Sequence, residues 1–150
     1  MSVGEFCNRQ VVITSPESDI VAVAKLMRKH HVGDVVIVQG KEGAAKMPLG
    51  IITDRDLVIE LLAQEVALDA VTVGDAMSYE LVTCQESDGI WETLQRMESR
   101  GIRRMVVVND EGSLVGILTV DDLLELLAEE MTTLSKVTLG QQARERRYKE

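Results

Sequence analysis

Residues 50–56 read Gly-Ile-Ile-Thr-Asp-Arg-Asp, and 66 residues later positions 116–122 read Gly-Ile-Leu-Thr-Val-Asp-Asp. The repetition extends well beyond seven residues. At an offset of 70, Val12 meets Val82, Ile20 meets Ile90, Met27 meets Met97, Val36 meets Val106 and Val38 meets Val108. The offset then drops to 66, and Thr53 meets Thr119, Asp56 meets Asp122, Leu57 meets Leu123 and Leu61 meets Leu127. The four-residue difference falls between Val-rich runs, in residues 39–48 against 109–114, where turn-formers predict hairpin loops and insertions cost little.

Each unit predicts the order β-α-β-β-α. A short strand (11–13; 81–83) precedes a helix with an apolar stripe, Ile20, Val23, Ala24 and Met27 in the first copy and Ile90, Leu94 and Met97 in the second. Ser18 and Asp88 are the expected helix caps. Two strands follow (35–38 with 49–53; 105–108 with 114–119), apolar without alternation, as strands covered on both faces are. Closing helices are expected at about 54–63 and about 120–134. A unit of about 60 residues has a marginal core alone. The expectation is therefore a mixed α/β (α+β) module of two tandem units, packed with pseudo-two-fold symmetry and with their sheets facing. The divisions expected are 1–66 for the first repeat, 67–78 for a linker, 79–134 for the second repeat and 135–150 for a basic tail.

Composition narrows the function classes. Apolar residues make up 45% of the 150 and aromatics 3%, so the core must be aliphatic. Net charge is −9, which disfavours nucleic acid as a partner. Residues 1–134 carry 11 basic and 23 acidic side chains, a net of −12, whereas 135–150 carry five and two, a net of +3. Cys7 and Cys84 make no disulfide framework. No signal segment or membrane-length apolar run is discernible, so the expected setting is cytoplasmic, without a membrane.

Thr-x-x-Asp has two readings. A Thr at the start of a helix with an acid three residues on is a capping box. The same pair can also take a sugar: a carboxylate accepts from both hydroxyls of a ribose, and a Thr one turn earlier reaches sugar or phosphate. The helix start behind it favours an anion. The two roles are compatible.

The doubled pattern resembles the CBS domain family in its paired arrangement, the Bateman module. The carrying motifs are a first strand, a helix with Met27 or Met97 near its end, a Val-rich strand, a hairpin, and Gly-Ile-(Ile/Leu)-Thr-x-x-Asp-Leu. The stretch Val-Gly-Asp-Ala-Met at 73–77 is similar to the family's lead-in to a repeat, and Cys7 takes the place of Met77 in the first copy. The resemblance implies adenine-nucleotide binding in clefts to which both repeats contribute. One cleft would hold Ile51, Thr53 and Asp56 with Leu81, Val82, Ile102, Arg103, Arg104 and Met105. The other would hold Ile117, Thr119 and Asp122 with Val11, Val12, Ser15, Val32, Gly33, Asp34 and Val35. The first would then have Arg103 and Arg104 for phosphate, with Arg55 nearby, where the second has Gly33, Asp34 and Asp121.

The remaining chemistry-bearing residues have structural readings. His30 and His31 are adjacent, about 100° apart on a helix, and suit a helix C-terminus rather than a metal. Met77, Met97 and Met105 are expected core fillers, and Trp91 a packing residue. The tail is expected to be frayed or partly helical. No catalytic set is discernible. The function implied is a non-catalytic regulatory module, requiring no cofactor, that binds AMP first among ADP, ATP and related adenosyl ligands. It would signal through its own homodimer, built on helices including Leu123, Leu124, Leu126 and Leu127, or through an effector protein. The alternative is a structural interaction module with vestigial clefts.

Overall fold

The computed structural model describes residues 1–40, 43–78 and 80–149. Part of the first hairpin loop (Lys41, Glu42), the expected start of the second repeat at Tyr79 and the last tail residue, Glu150, lie outside the described residues. The chain divides into two compact units, Met1–Leu118 and the residues from Thr119 onward.

The first unit holds two three-stranded sheets, ordered β1-β2-β3 and β4-β5-β6. The first comprises β1 (Ile13–Thr14), β2 (Asp34–Gln39) and β3 (Met47–Thr53). Strand β2 runs parallel to β1 and antiparallel to β3. The second comprises β4 (Thr83–Gln85), β5 (Arg104–Val108) and β6 (Leu114–Thr119), with β4 parallel to β5. Both first strands thus begin two residues later than the sequence suggests, and that of the first repeat is one residue shorter.

Residues Val35 to Val38 are all buried, which explains their unbroken apolar run. Successive side chains on a strand face opposite ways. Val35 and Ile37 therefore pack with Ile52 and with Ile20, Val23 and Met27 of helix α2 (Ile20–His30). Val36 and Val38 face the other way and meet Val106, Val108 and Ile117 of the second sheet. Each such side chain, fully buried, contributes roughly 1.5–3 kcal/mol. The sheets face one another as expected, and equivalent residues of the two repeats share one core.

Helix α2 is capped by Asp19, whose Oδ1 accepts from the Ala22 N–H at 2.6 Å, and not by Ser18. Helix α5 (Ile90–Arg100) has Gly89 at its cap. Asp88 instead accepts from the Gln85 N–H at 3.0 Å and from Arg96 at 2.9 Å, which ties the preceding turn to the helix. Helix α2 ends on His30, with His31 left-handed at φ 54 beyond it; the equivalent position in the second repeat is Gly101. The closing helix of the first repeat is one α-turn, α3 (Asp54–Asp56), continued by a wide π-type turn (Leu57–Leu62). That turn keeps Leu57 and Leu61 together against the first core.

The short lead-in helices cross over. Helix α1 (Val3–Phe6) precedes the first repeat but bonds to the second: Val3 donates to the Asp88 carbonyl at 2.9 Å and Gly4 to that of Glu86 at 2.8 Å. Helix α4 (Val73–Ala76) precedes the second repeat but bonds to the first: Val73 donates to Ser18 at 2.9 Å and Gly74 to Pro16 at 2.8 Å. Glycines in the third strands make room for the residue that ends each lead-in. A Cβ on Gly50 would stand 2.7 Å from Met77 Sδ, and one on Gly116 would stand 2.7 Å from Cys7 Sγ. Cys7 and Met77 are thus equivalent, as the repeat alignment suggests, and each lies against the third strand of the opposite repeat.

The second unit is helix α6 (Val120–Tyr148), 29 residues long. Leu123 and Leu126 are buried, whereas Leu124 and Leu127 are exposed, and every residue from Leu127 to Lys149 is exposed. The expected end near 134 is overrun, and of the two expectations for the tail the helical one holds, as one continuous helix. The tail has no proline and is rich in Gln, Ala, Arg and Glu, all good helix formers. Gln141 Nε2 donates to Glu145 Oε1 one turn on at 3.1 Å, and Arg146 and Arg147 suit the negative end of the helix.

Candidate functional site at the end of the third strand

Both Thr-x-x-Asp motifs are complete capping boxes. Asp56 N–H donates to Thr53 Oγ1 at 3.1 Å, and Thr53 N–H donates back to Asp56 Oδ2 at 2.9 Å. Asp122 N–H donates to Thr119 Oγ1 at 3.1 Å and Thr119 N–H to Asp122 Oδ2 at 2.9 Å. Thr119 Oγ1 also lies 2.9 Å from Asp122 Oδ2, as a donor. These bonds occupy Oδ2 of each aspartate. They fix the carboxylate at the end of the third strand of each repeat and leave Oδ1 for a further donor.

Part of the first expected set comes together near Thr53. Thr53 stands opposite Asp34 in the antiparallel pair β2–β3. Asp34 Oδ2 lies 2.6 Å from Arg104 Nε, so the guanidinium of β5 is held beside the end of β3. Ile51 and Leu81 pack on the same inter-sheet core, and the Ile51 carbonyl accepts from Ser78 N–H at 3.1 Å. This places the chain entering the second repeat against β3 of the first. Arg103 and Arg55 are exposed, and Val82 and Ile102 are half-buried. Met105 is 1% exposed, so its side chain belongs to the interior and only its main chain can face a ligand.

The expected second set is less compact. Val11 and Ile117 share the inter-sheet core, and the Val12 carbonyl accepts from Val36 N–H at 3.0 Å. Val35 is 0% exposed and, like Met105, presents only main chain. Val32 is half-buried, and the Gly33 carbonyl accepts from Asp54 N–H at 2.9 Å. Ser15 lies apart from Asp34. Thr14 pairs with Ile37, so Ser15 is level with Val38, about 13 Å along the strand from Asp34. There Ser15 helps line a groove of 250 Å³ with Pro16, Glu17, Val38, Gln39, Gly40 and Leu49. Thr119 and Asp122 belong to the second unit.

Sequence reasoning placed Asp34 and Arg104 in different clefts, yet they form one ion pair. The available signal was their equivalence: 34 plus 70 is 104. Equivalent positions close to a two-fold axis meet each other, as Val36 and Val106 do in the shared core.

Cys84 is 3% exposed, with Sγ 3.9 Å from the Val106 carbonyl, to which it donates. Burial, chiefly, and the Asp88 carboxylate push its thiol up to about 11, against a smaller opposing pull from Arg96. It is a packed thiol rather than a nucleophile. Among the described residues no three His, Cys, Asp or Glu are placed to hold a metal, and no helix is long and apolar enough to cross a membrane.

The family model described as CBS domain matches residues 3–63 and 73–129. An uncharacterized protein of Methanopyrus kandleri is 41% identical over 126 residues, which are 84% of this chain and 62% of the relative. The chain therefore spans less than two thirds of that relative's length. Among solved structures, a CBS domain protein of Pyrobaculum aerophilum complexed with AMP superposes with a TM-score of 0.71 at 27% identity, covering 85% of this chain and 99% of that one. The CBS domain pair of protein MJ0100, in complex with 5′-methylthioadenosine and S-adenosyl-L-methionine, gives a TM-score of 0.74 at 25% identity, covering 87% and 98%. The two matched segments coincide with the doubled β-α-β-β-α unit and its crossed lead-ins, and the chain belongs to the CBS domain family as a tandem pair.

Proposed function

We propose that this CBS pair is a non-catalytic regulatory module that binds an adenosine-containing ligand, AMP first, at the end of β3. Asp56 takes the ribose hydroxyls through Oδ1, and Thr53 stands one turn away for sugar or phosphate. Arg103 takes the phosphate, with Arg104 shared between that anion and Asp34. Ile51, Leu81, Val82 and Ile102 flank the base, and the main chain at Met105 reads its edge. The pair passes binding on through a homodimer built on helices or through an effector protein.

The observation that carries this reading is the reciprocal Thr53–Asp56 capping, which fixes a half-buried carboxylate at the end of β3, where Thr53 stands opposite Asp34, the residue that holds the Arg104 guanidinium. The adenosyl ligands of the two superposed structures support the chemical class. The test is a thermal melt against AMP, ADP, ATP, 5′-methylthioadenosine and S-adenosylmethionine. A ligand at 100 times its dissociation constant adds about 2.7 kcal/mol. No shift with any of them would favour a structural interaction module with vestigial clefts.

A further inference from the structure

Helix α6 is 29 residues long, about 44 Å, and its exposed surface is organised. Leu124, Leu127, Met131 and Leu134 recur at spacings of three and four and are 38–71% exposed. The same stripe continues as Thr138 and Gln141 and ends on Tyr148, which is 84% exposed. A three-four spacing is the seam of a coiled coil.

Charge is divided along this helix. Residues 120–131 carry five acidic side chains and no basic one, whereas 136–149 carry five basic and one acidic. Two copies laid parallel would set acid beside acid and base beside base. Laid antiparallel, the acidic half of each lies on the basic half of the other. The stripe also allows a full-length antiparallel register. Leu124 of one copy then meets Tyr148 of the other, Met131 meets Gln141, and Leu134 meets Thr138. The residues flanking the seam are complementary in that register. Glu130 meets Arg144 twice, by symmetry, and Val137 meets its own counterpart. Glu145 falls opposite Leu127, with its carboxylate drawn along its own helix by Gln141.

We propose that the occupant of this stripe is α6 of a second copy of the chain, antiparallel and full length, with Glu130 of each facing Arg144 of the other. The proposal deepens the homodimer reading and is independent of which ligand the clefts take.

The full chain in light scattering is expected at twice 16.6 kDa. Glu130→Arg should weaken the dimer roughly tenfold, since two attractive pairs become repulsive. Adding Arg144→Glu to that chain should restore it. Val137→Cys should form an intermolecular disulfide under mild oxidation, because its counterpart is adjacent, whereas Leu139→Cys on the far side should not. A monomer at micromolar concentration would assign the stripe to another protein and overturn both this pairing and the homodimer. A dimer unmoved by Glu130→Arg, or one in which Val137→Cys does not cross-link above the parent and Leu139→Cys, would overturn the arm pairing alone.

Discussion

Arg104 and Asp34 occupy the same position in the two repeats, and they touch: Nε to Oδ2 is 2.6 Å. The arginine side chain is 34% exposed and the aspartate 18%. The pair therefore lies where water is only partly excluded, and its net contribution to stability is modest. Its larger consequence is for the clefts. An arginine proposed for phosphate in one cleft is held by a carboxylate expected in the other.

A double-mutant cycle of Asp34→Asn and Arg104→Gln should show a coupling of about 1 kcal/mol in urea unfolding. With Arg104 also serving phosphate, Asp34→Asn should tighten AMP relative to adenosine. Arg103→Ala should weaken AMP more than adenosine. Equal changes for the two ligands in both variants would show that neither arginine reads phosphate.

Asp56→Asn and Asp122→Asn separate capping from binding. Asn keeps one acceptor for the capping N–H, so each should lose no more than about 1 kcal/mol of stability. An Asp that holds ribose should lose about 1.5–3 kcal/mol of nucleotide affinity when neutralised. Isothermal titration of both variants reads this directly, and unchanged affinity in both would leave capping alone.

Gly50→Ala and Gly116→Ala test the crossed lead-ins. Each new methyl would stand within 2.8 Å of a main-chain carbonyl, Ser78 for the first and Asn8 for the second, as well as against sulfur. Overpacking of this kind costs about 1–3 kcal/mol. Trimming the sulfur side chain with Met77→Ala should not rescue Gly50→Ala, because the carbonyl remains. Wild-type melting temperatures for both glycine variants would contradict the close approach.

The Cys84 thiol has a signature in pH. Its folded value is about 11 against an ordinary 9.0, so the folded state holds the proton more tightly than the unfolded chain. The stability this confers is present below pH 9 and is lost as pH rises toward 11. The loss reaches roughly 3 kcal/mol at most. Cys84→Ala should flatten that slope in unfolding experiments between pH 8 and 10.5. In the folded protein at pH 8, iodoacetamide should modify the half-buried Cys7 well before Cys84.

Local chemistry is written plainly in the sequence. The doubled register, the Val-rich strands and the Thr-x-x-Asp boxes depend on neighbours three or four residues away or on unbroken apolar runs, and all appear in the structure as read. Element ends are less legible, because caps compete over one or two positions: Asp19 displaces Ser18, and Gly89 displaces Asp88. The long reach of α6 is only half legible, because charge and low apolar content in 135–150 leave fraying and helix both open, whereas its good helix formers carry one helix through to Tyr148. Which repeat each lead-in helix serves, and that Asp34 finds Arg104, only the tertiary structure decides. Sequence periodicity tells which face of an element is apolar, but not which of two similar sheets will cover it. That choice is made when equivalent strands pack across a two-fold axis and bring residues 70 apart in the chain into contact.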